Sequence, residues 1–311
     1  MNIKVADKHS VCLIGIFILG ETLILAPFSG ADSFNILALI IAVGVSAIFL
    51  WALSPLLAKV FVKKDADTVK CTALRALCYS VAIIFSLFVA LKCFVSTVTL
   101  AGEVMLNNIP RIIIAIILSA CVIASAYSPA RAIYKTALIT TVLIAVVIAV
   151  LFAVSLPHFE VRNIVPYKFR FSTTILTQAI DYFTRAFLPS VLSLIYISLT
   201  SDKLNGKTAS EGVFLGGSLL VVCIAGAIMV FTAPTAAQMQ FPYLSAVGVA
   251  NVGELFTRAD GFAYPVLIIT SLIKIIVCLK VVTALVVALG FKYKKTLSVA
   301  CGMLMVILAI I

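Results

Sequence analysis

The sequence predicts an all-α polytopic membrane protein, a single transmembrane domain over residues 1–311 with about nine helices in an inverted-repeat, transporter-like bundle. Three observations predict it. Hydrophobic residues make up 63% of the chain and charged residues 11%, with a mean hydropathy of +1.24. Soluble domains carry about 25% charged residues, so no water-soluble core could hide this much apolar surface. Second, apolar runs extend from the first residues to the last and leave no room for a folded soluble domain. Third, the first and sixth spans both contain helix breakers together with acidic residues, and each heads a block of further helices, about 9–156 and about 173–311. Matching interrupted helices in two halves are the sequence mark of an inverted repeat with a solute site at the midplane.

The first span, His9 to Ser29, exceeds the roughly 20 apolar residues that cross a hydrocarbon core. Gly15 and Gly20 loosen it, and Glu21 and Thr22 place polar groups near mid-membrane, so a helix split at its glycines is expected. A turn at Gly30 to Ser33 leads to the second span, Phe34 to Phe61, which ends in Lys59, Lys63 and Lys64. The third runs from Val69 to Leu100 with Lys92 inside it, followed by a polar linker to Pro110 that carries Glu103. Arg111 to Tyr127 and Ala130 to Leu156 are the fourth and fifth. Pro157 to Ser172 holds His158, Glu160, Arg162, Lys168 and Arg170 among apolar residues, a composition suited to the membrane surface. The sixth span, Thr174 to Thr200, is interrupted by Asp181, Arg185 and Pro189, and a cap-like loop, Ser201 to Glu211, follows. Val213 to Ala233, Phe262 to Phe291 and Thr296 to Ile311 complete the series, with Lys274 and Lys280 inside the eighth.

The formal charge of +11 would suit nucleic acid in a soluble protein, but the basic residues fall in alternate loops. That is the positive-inside pattern, and it predicts a cytoplasmic N-terminus and no nucleic-acid partner. Pro27-Phe28-Ser29 offers no small-residue cleavage site, so a removable leader is not expected. The eight cysteines stand singly in apolar runs without a CxxC pair, and only His9 and His158 are present. Neither a disulfide frame nor a metal site is expected, and no cofactor is implied. No HExxH appears and Glu21 has no acid partner within its own run, so the chain is not expected to be an enzyme.

A carboxylate at membrane depth is costly and by default marks a site. Glu21 has three readings: a ligand-binding group with Gly20 and Thr22, a protonatable coupling group, or a structural partner of Lys92 or Lys274. Pro189-Ser190 is the expected break of the sixth span and the facing part of the ligand site. Asp181 and Arg185, four apart on one helix face, suit an ion pair that is structural or gates the outer mouth. Lys274 must face protein or water and could stand where a coupling cation sits.

The opening KHSVCLIGIFILGETLILAPFS, and the stretch FPYLSAVGVANVGELFTRADGFAYPVLIITSLIKI with Phe241, Pro242, Gly253, Phe256, Arg258 and Asp260, resemble the B subunits of bacterial endospore germinant receptors. This is the GerAB-type family of the amino acid/polyamine/organocation transporter superfamily; Asn163 to Pro166 before the sixth span fits it too. The resemblance implies a five-plus-five inverted repeat of ten helices, of which the last is missing here, and the family's tryptophan in the eighth helix is absent. It implies a cytoplasmic-membrane subunit that senses a small amino-acid-like solute between its first and sixth spans and signals germination. The implied partners are membrane lipid and the receptor's A and C subunits. The alternative it implies is a secondary amino-acid permease.

Overall fold

The computed structural model describes residues 7–25, 35–61, 72–106, 108–163, 173–200, 204–239, 241–249, 261, 263–290 and 300–307, all helical or in connecting turns. Pro27-Phe28-Ser29, Lys63, Lys64, Pro166, Gly253, Phe256, Arg258 and Asp260 lie outside the described residues.

Helix α1 (Asp7–Leu25) is apolar around its whole circumference, the pattern of a helix surrounded by others. Leu13, Ile14, Ile16, Phe17, Ile18, Leu19 and Ile24 are all fully buried. It packs between α8 (Gly206–Phe231) and α11 (Ala263–Ala288), with α5 (Ala130–Ser155) and α3 (Thr72–Leu100) closing the ring. Helix α2 (Asn35–Phe61) lies against α8, α6 (Thr173–Tyr182) and α7 (Val191–Thr200). Helix α4 (Arg111–Ala126) covers α11 and α3.

The expected split of the first span is not there: α1 is one α-helix through Gly15 and Gly20. Its glycines serve close approach. A Cβ on Gly216 of α8 would stand 2.7 Å from the Gly15 carbonyl oxygen, and one on Gly212 2.6 Å from Ile14 Cβ. Gly212 and Gly216 are four apart, the small-residue spacing that lets membrane helices touch backbone to backbone. The next residue, Gly217, does the same for α2, where a Cβ would meet Val43 Cγ2 at 2.7 Å. Apolar burial does not drive helices together within lipid, so this close packing supplies much of the cohesion.

The sixth span is interrupted as expected. After α6 come a π turn (Phe183–Phe187) and a 3-10 turn (Leu188–Ser190) before α7. Pro189 has no N–H to give to the preceding turn, and that removes the regular ladder. Ser190 and Ser193 hydroxyls donate to the Phe187 and Ser190 carbonyls, and Thr184 donates to the Asp181 carbonyl at 3.0 Å. The carbonyls loosened by the break are therefore supplied from within the same segment.

Elsewhere the helices run differently from expectation in two places. Helix α8 starts at Gly206, inside the expected cap-like loop, because the Asn205 side chain caps it by accepting from the Lys207 backbone N–H at 3.3 Å. The third span continues past Leu100 as a π turn, Ala101–Met105, in the expected linker, and Glu103 there pairs with Arg111 at 2.8 Å. The connection between α8 and α11 forms two short helices, α9 (Ala233–Gln238) and α10 (Pro242–Val249), and residues 300–307 form α12.

Six described helices are long and apolar enough to cross a membrane, against about nine spans that the sequence predicts over the full chain: Ile36–Phe61, Arg75–Glu103, Ala130–His158, Thr173–Thr200, Gly206–Phe231 and Ala263–Ala288. Arg111–Ser125 is apolar but shorter. The outer surface of the bundle is apolar: Ile48, Ile84 and Ile139 are each more than two-thirds exposed. Such a surface is stable only against lipid, and the chain is an integral membrane protein.

Candidate functional site

Glu21 sits in the last turns of α1 with its carboxylate turned into the bundle and its side chain 5% exposed. Lys92 of α3 reaches Oε1 at 2.9 Å, and Lys274 of α11 reaches Oε2 at 3.4 Å, donating a hydrogen bond. One carboxylate thus ties three helices. An isolated buried carboxylate would be costly, and so would an isolated buried ammonium; together they offset much of that cost. Two ammonium groups face one carboxylate, so the cluster carries a net single positive charge.

The two lysines are held differently. Lys274 is fully buried, and its Nζ lies 5.3 Å from the centroid of the Phe17 ring. Phe17 precedes Glu21 by four residues, one turn along the same face of α1, so ring and carboxylate grip the ammonium together. Gly20 makes room for the stem: a Cβ there would be 3.2 Å from Lys274 Cδ and 3.3 Å from the Thr270 carbonyl oxygen. The Lys92 side chain is 44% exposed. Thr22, also buried, donates to the Ile18 carbonyl within α1. The seam between α3 and α11 is closed by Cys93, whose thiol points at the Ser271 carbonyl at 3.7 Å.

Of the residues singled out from the sequence, Gly20, Glu21, Thr22 and Lys274 fall in this one cluster. Pro189 and Ser190 are buried in the interrupted span, whose turns pack against α1. No hydrogen bond or ion pair among the described residues joins them to Glu21. Asp181 and Arg185 form the expected i,i+4 pair at 2.6 Å with the arginine 60% exposed. Among the described residues, no ion pair joins them to the cluster. The arginine end is exposed and the Asp181 side chain only 23% so; such a pair contributes up to about 1 kcal/mol, so Arg185→Ala should lower the unfolding midpoint in detergent by no more than about 4 °C.

Sequence reasoning passed over Gln178 and Tyr182. They lie one turn apart on the buried face of α6, 2% and 0% exposed. Among the described residues, neither the amide of Gln178 nor the Tyr182 hydroxyl has a hydrogen-bond partner, and the same is true of Asp181 Oδ2. A buried polar atom left unpaired costs about 1–3 kcal/mol, so these groups mark a place suited to water or a polar solute. Gln178→Leu should therefore hold or raise thermal stability, read as the unfolding midpoint of purified protein. A glutamine–tyrosine pair at i,i+4 just before a proline-broken stretch is the sequence signal that could have found them. A separate cavity of about 100 Å³ lies beside the turn between α4 and α5, lined by Ser125, Ser128, Thr136, Ile273 and Ile276. Among the described residues, no cluster of His, Cys, Asp and Glu is placed to hold a metal.

Comparison with known proteins adds to this geometry. The chain superimposes on a solved Na+-coupled sialic acid symporter in a substrate-bound outward-open state with a TM-score of 0.58, at 12% identity. The match covers 98% of this chain and 72% of that one, and at such identity it speaks to the fold: an α-helical transporter bundle. No curated protein matches the chain in sequence. The family profile described as spore germination protein, the spore permease family, matches residues 4–311. An integral membrane bundle with a transporter fold, carrying a buried charge cluster at its central helix and matched by this profile over nearly its whole length, belongs to the spore germination protein family.

Proposed function

We propose that this chain is the solute-sensing B-type subunit of a spore germinant receptor, that its ligand is a small amino-acid-like molecule, and that it is not an enzyme. The observation that carries this reading is the Glu21 cluster: a buried carboxylate met by two lysines where α1, α3 and α11 come together. A zwitterion offers the complementary pair of charges. Gly20, Glu21 and Thr22 are its site on α1, and Pro189 and Ser190 bring the interrupted span against the same helix. Lys274 fills the role of a fixed cation beside the site. Asp181 and Arg185 act at the mouth.

Ligand binding favours one arrangement of the helices, and partner subunits of the A and C types read that arrangement as the germination signal. The bundle sits in the cytoplasmic membrane with its N-terminus inside, in accord with the basic residues Lys59, Arg131, Lys135 and Lys207 at alternate helix ends. The two halves, about 9–156 and 173–311, are read as inverted repeats. The second reading, a secondary permease, rests on the shared transporter fold.

Proteoliposomes separate the two. With an imposed ion gradient and a pool of twenty labelled amino acids, a sensor binds solute without accumulating it, whereas a permease concentrates it in the lumen. Accumulation above the outside concentration overturns the sensor reading in favour of the permease. Absence of both binding and uptake, for any member of the pool, overturns both.

A further inference from the structure

We propose that the cavity beside the turn between α4 and α5 is a site for the phosphate of an anionic phospholipid, with Lys280 as the cation that holds it. The site is independent of the Glu21 cluster and lies on a different surface of the bundle.

Four observations point there. The first is depth. Tyr127, just past the end of α4, is exposed, and so are Arg131 and Lys135 on the first turns of α5. One turn farther along α5, Ile139 is exposed in its turn. A tyrosine and basic residues beside an outward apolar face mark the level where water gives way to hydrocarbon, and lipid phosphates lie at that level. The second is room. One water needs about 10–15 Å³, whereas this cavity offers about 100 Å³, enough for a phosphate and part of its glycerol. It reaches the surface at Thr136, which both lines it and is exposed.

The third is the lining. Ser125, Ser128 and Thr136 bring hydroxyls, while Ile133, Ile273 and Ile276 contribute aliphatic wall. Hydroxyls suit phosphate oxygens, and the aliphatic wall suits glycerol and the first carbons of an acyl chain. A free phosphate gains nothing from that wall. The fourth is charge. Lys280 follows Ile273 and Ile276 on one stripe of α11, and its ammonium donates to the carbonyl of Ser128, a lining residue. A neutral carbonyl directs the ammonium without cancelling its charge. Neither α4, α5 nor α11 contains an Asp or Glu, so the helices that form the cavity supply no carboxylate to Lys280. Basic pockets between membrane helices at headgroup level suit anionic lipid. Phosphatidylglycerol brings a net negative charge to such a pocket, whereas phosphatidylcholine carries its own cation on the phosphate and brings none.

A basic residue near the membrane surface favours anionic lipid by an amount equal to about a five-fold change in affinity. The test uses the full purified chain in neutral detergent, its unfolding midpoint titrated with dioctanoyl-phosphatidylglycerol, dioctanoyl-phosphatidylcholine and inorganic phosphate. Wild type should respond to the phosphatidylglycerol at about five-fold lower concentration than to the phosphatidylcholine, and inorganic phosphate should not move it. Lys280→Gln, read against its own lipid-free midpoint, should lose the preference, and Lys280→Arg should keep it. Ile276→Trp fills the cavity with Lys280 still in place and should lose it too; this variant carries the test alone if Lys280→Gln does not fold. Equal responses to the two lipids in wild type would overturn the site, as would a preference that survives unchanged in Lys280→Gln or in Ile276→Trp. A shift by inorganic phosphate as large as that by phosphatidylglycerol would overturn the lipid as its occupant.

Discussion

Glu21→Leu is expected to cost about 3–5 kcal/mol of stability, because it strands the Lys274 ammonium in a position with no access to solvent. Lys92, 44% exposed, is not enclosed in the same way and adds less to the penalty. The companion change distinguishes a pair from two separate residues. Lys274→Met alone leaves Glu21 with Lys92 and should cost less, while the combined Glu21→Leu/Lys274→Met should recover most of the loss, since an apolar pair of similar size replaces a buried ion pair at little cost. Thermal unfolding of the four proteins in one detergent gives the cycle. A coupling of at least about 2 kcal/mol is expected for residues in direct contact, and simple additivity would mean that α1 and α11 are not joined through this bond.

Gly216→Leu should have the other large effect. The new side chain would begin 2.7 Å from the Gly15 carbonyl oxygen and 3.0 Å from Gly15 Cα, and backbone cannot move aside as a side-chain tip can. Overpacking against movable neighbours costs about 1–3 kcal/mol, so this contact should exceed that range and abolish recovery of folded protein from the membrane. Gly44→Ala is the matched control. A Cβ there meets nothing within 4 Å, and exchanging a helical glycine for alanine gains about 0.5–1 kcal/mol. Size-exclusion profiles of the two variants should therefore diverge sharply, an aggregated peak for one and a wild-type peak for the other.

These two cases also show where the sequence is legible. Pro189 could be read directly, since a residue without an N–H breaks a ladder wherever it stands. Glycine has no such single meaning. The same residue that loosens a helix also lets another helix come close, and Gly15 is settled by Gly212 and Gly216, which lie far along the chain on α8. Reading Gly15 and Gly20 as a split was the natural inference from α1 alone, and packing reversed it. Glu21 was legible as a residue that must be paired, with both lysines among its candidates, because few cations lie at comparable depth. That it takes both, one buried and one exposed, depends on how α3 and α11 approach α1. Gln178 carried little signal, since an amide inside a helix is ordinary and only its burial without a partner among the described residues sets it apart.

The central claim is that the Glu21 cluster is where solute enters the bundle and shifts it. Its most direct test is a thermal-shift screen of the twenty amino acids on purified wild type and on Glu21→Leu/Lys274→Met, the variant expected to keep its fold while losing the carboxylate and its buried partner. The account predicts that at least one amino acid raises the wild-type midpoint and that this rise disappears in that variant. An amino acid that stabilises both proteins equally would place its site elsewhere and contradict the account.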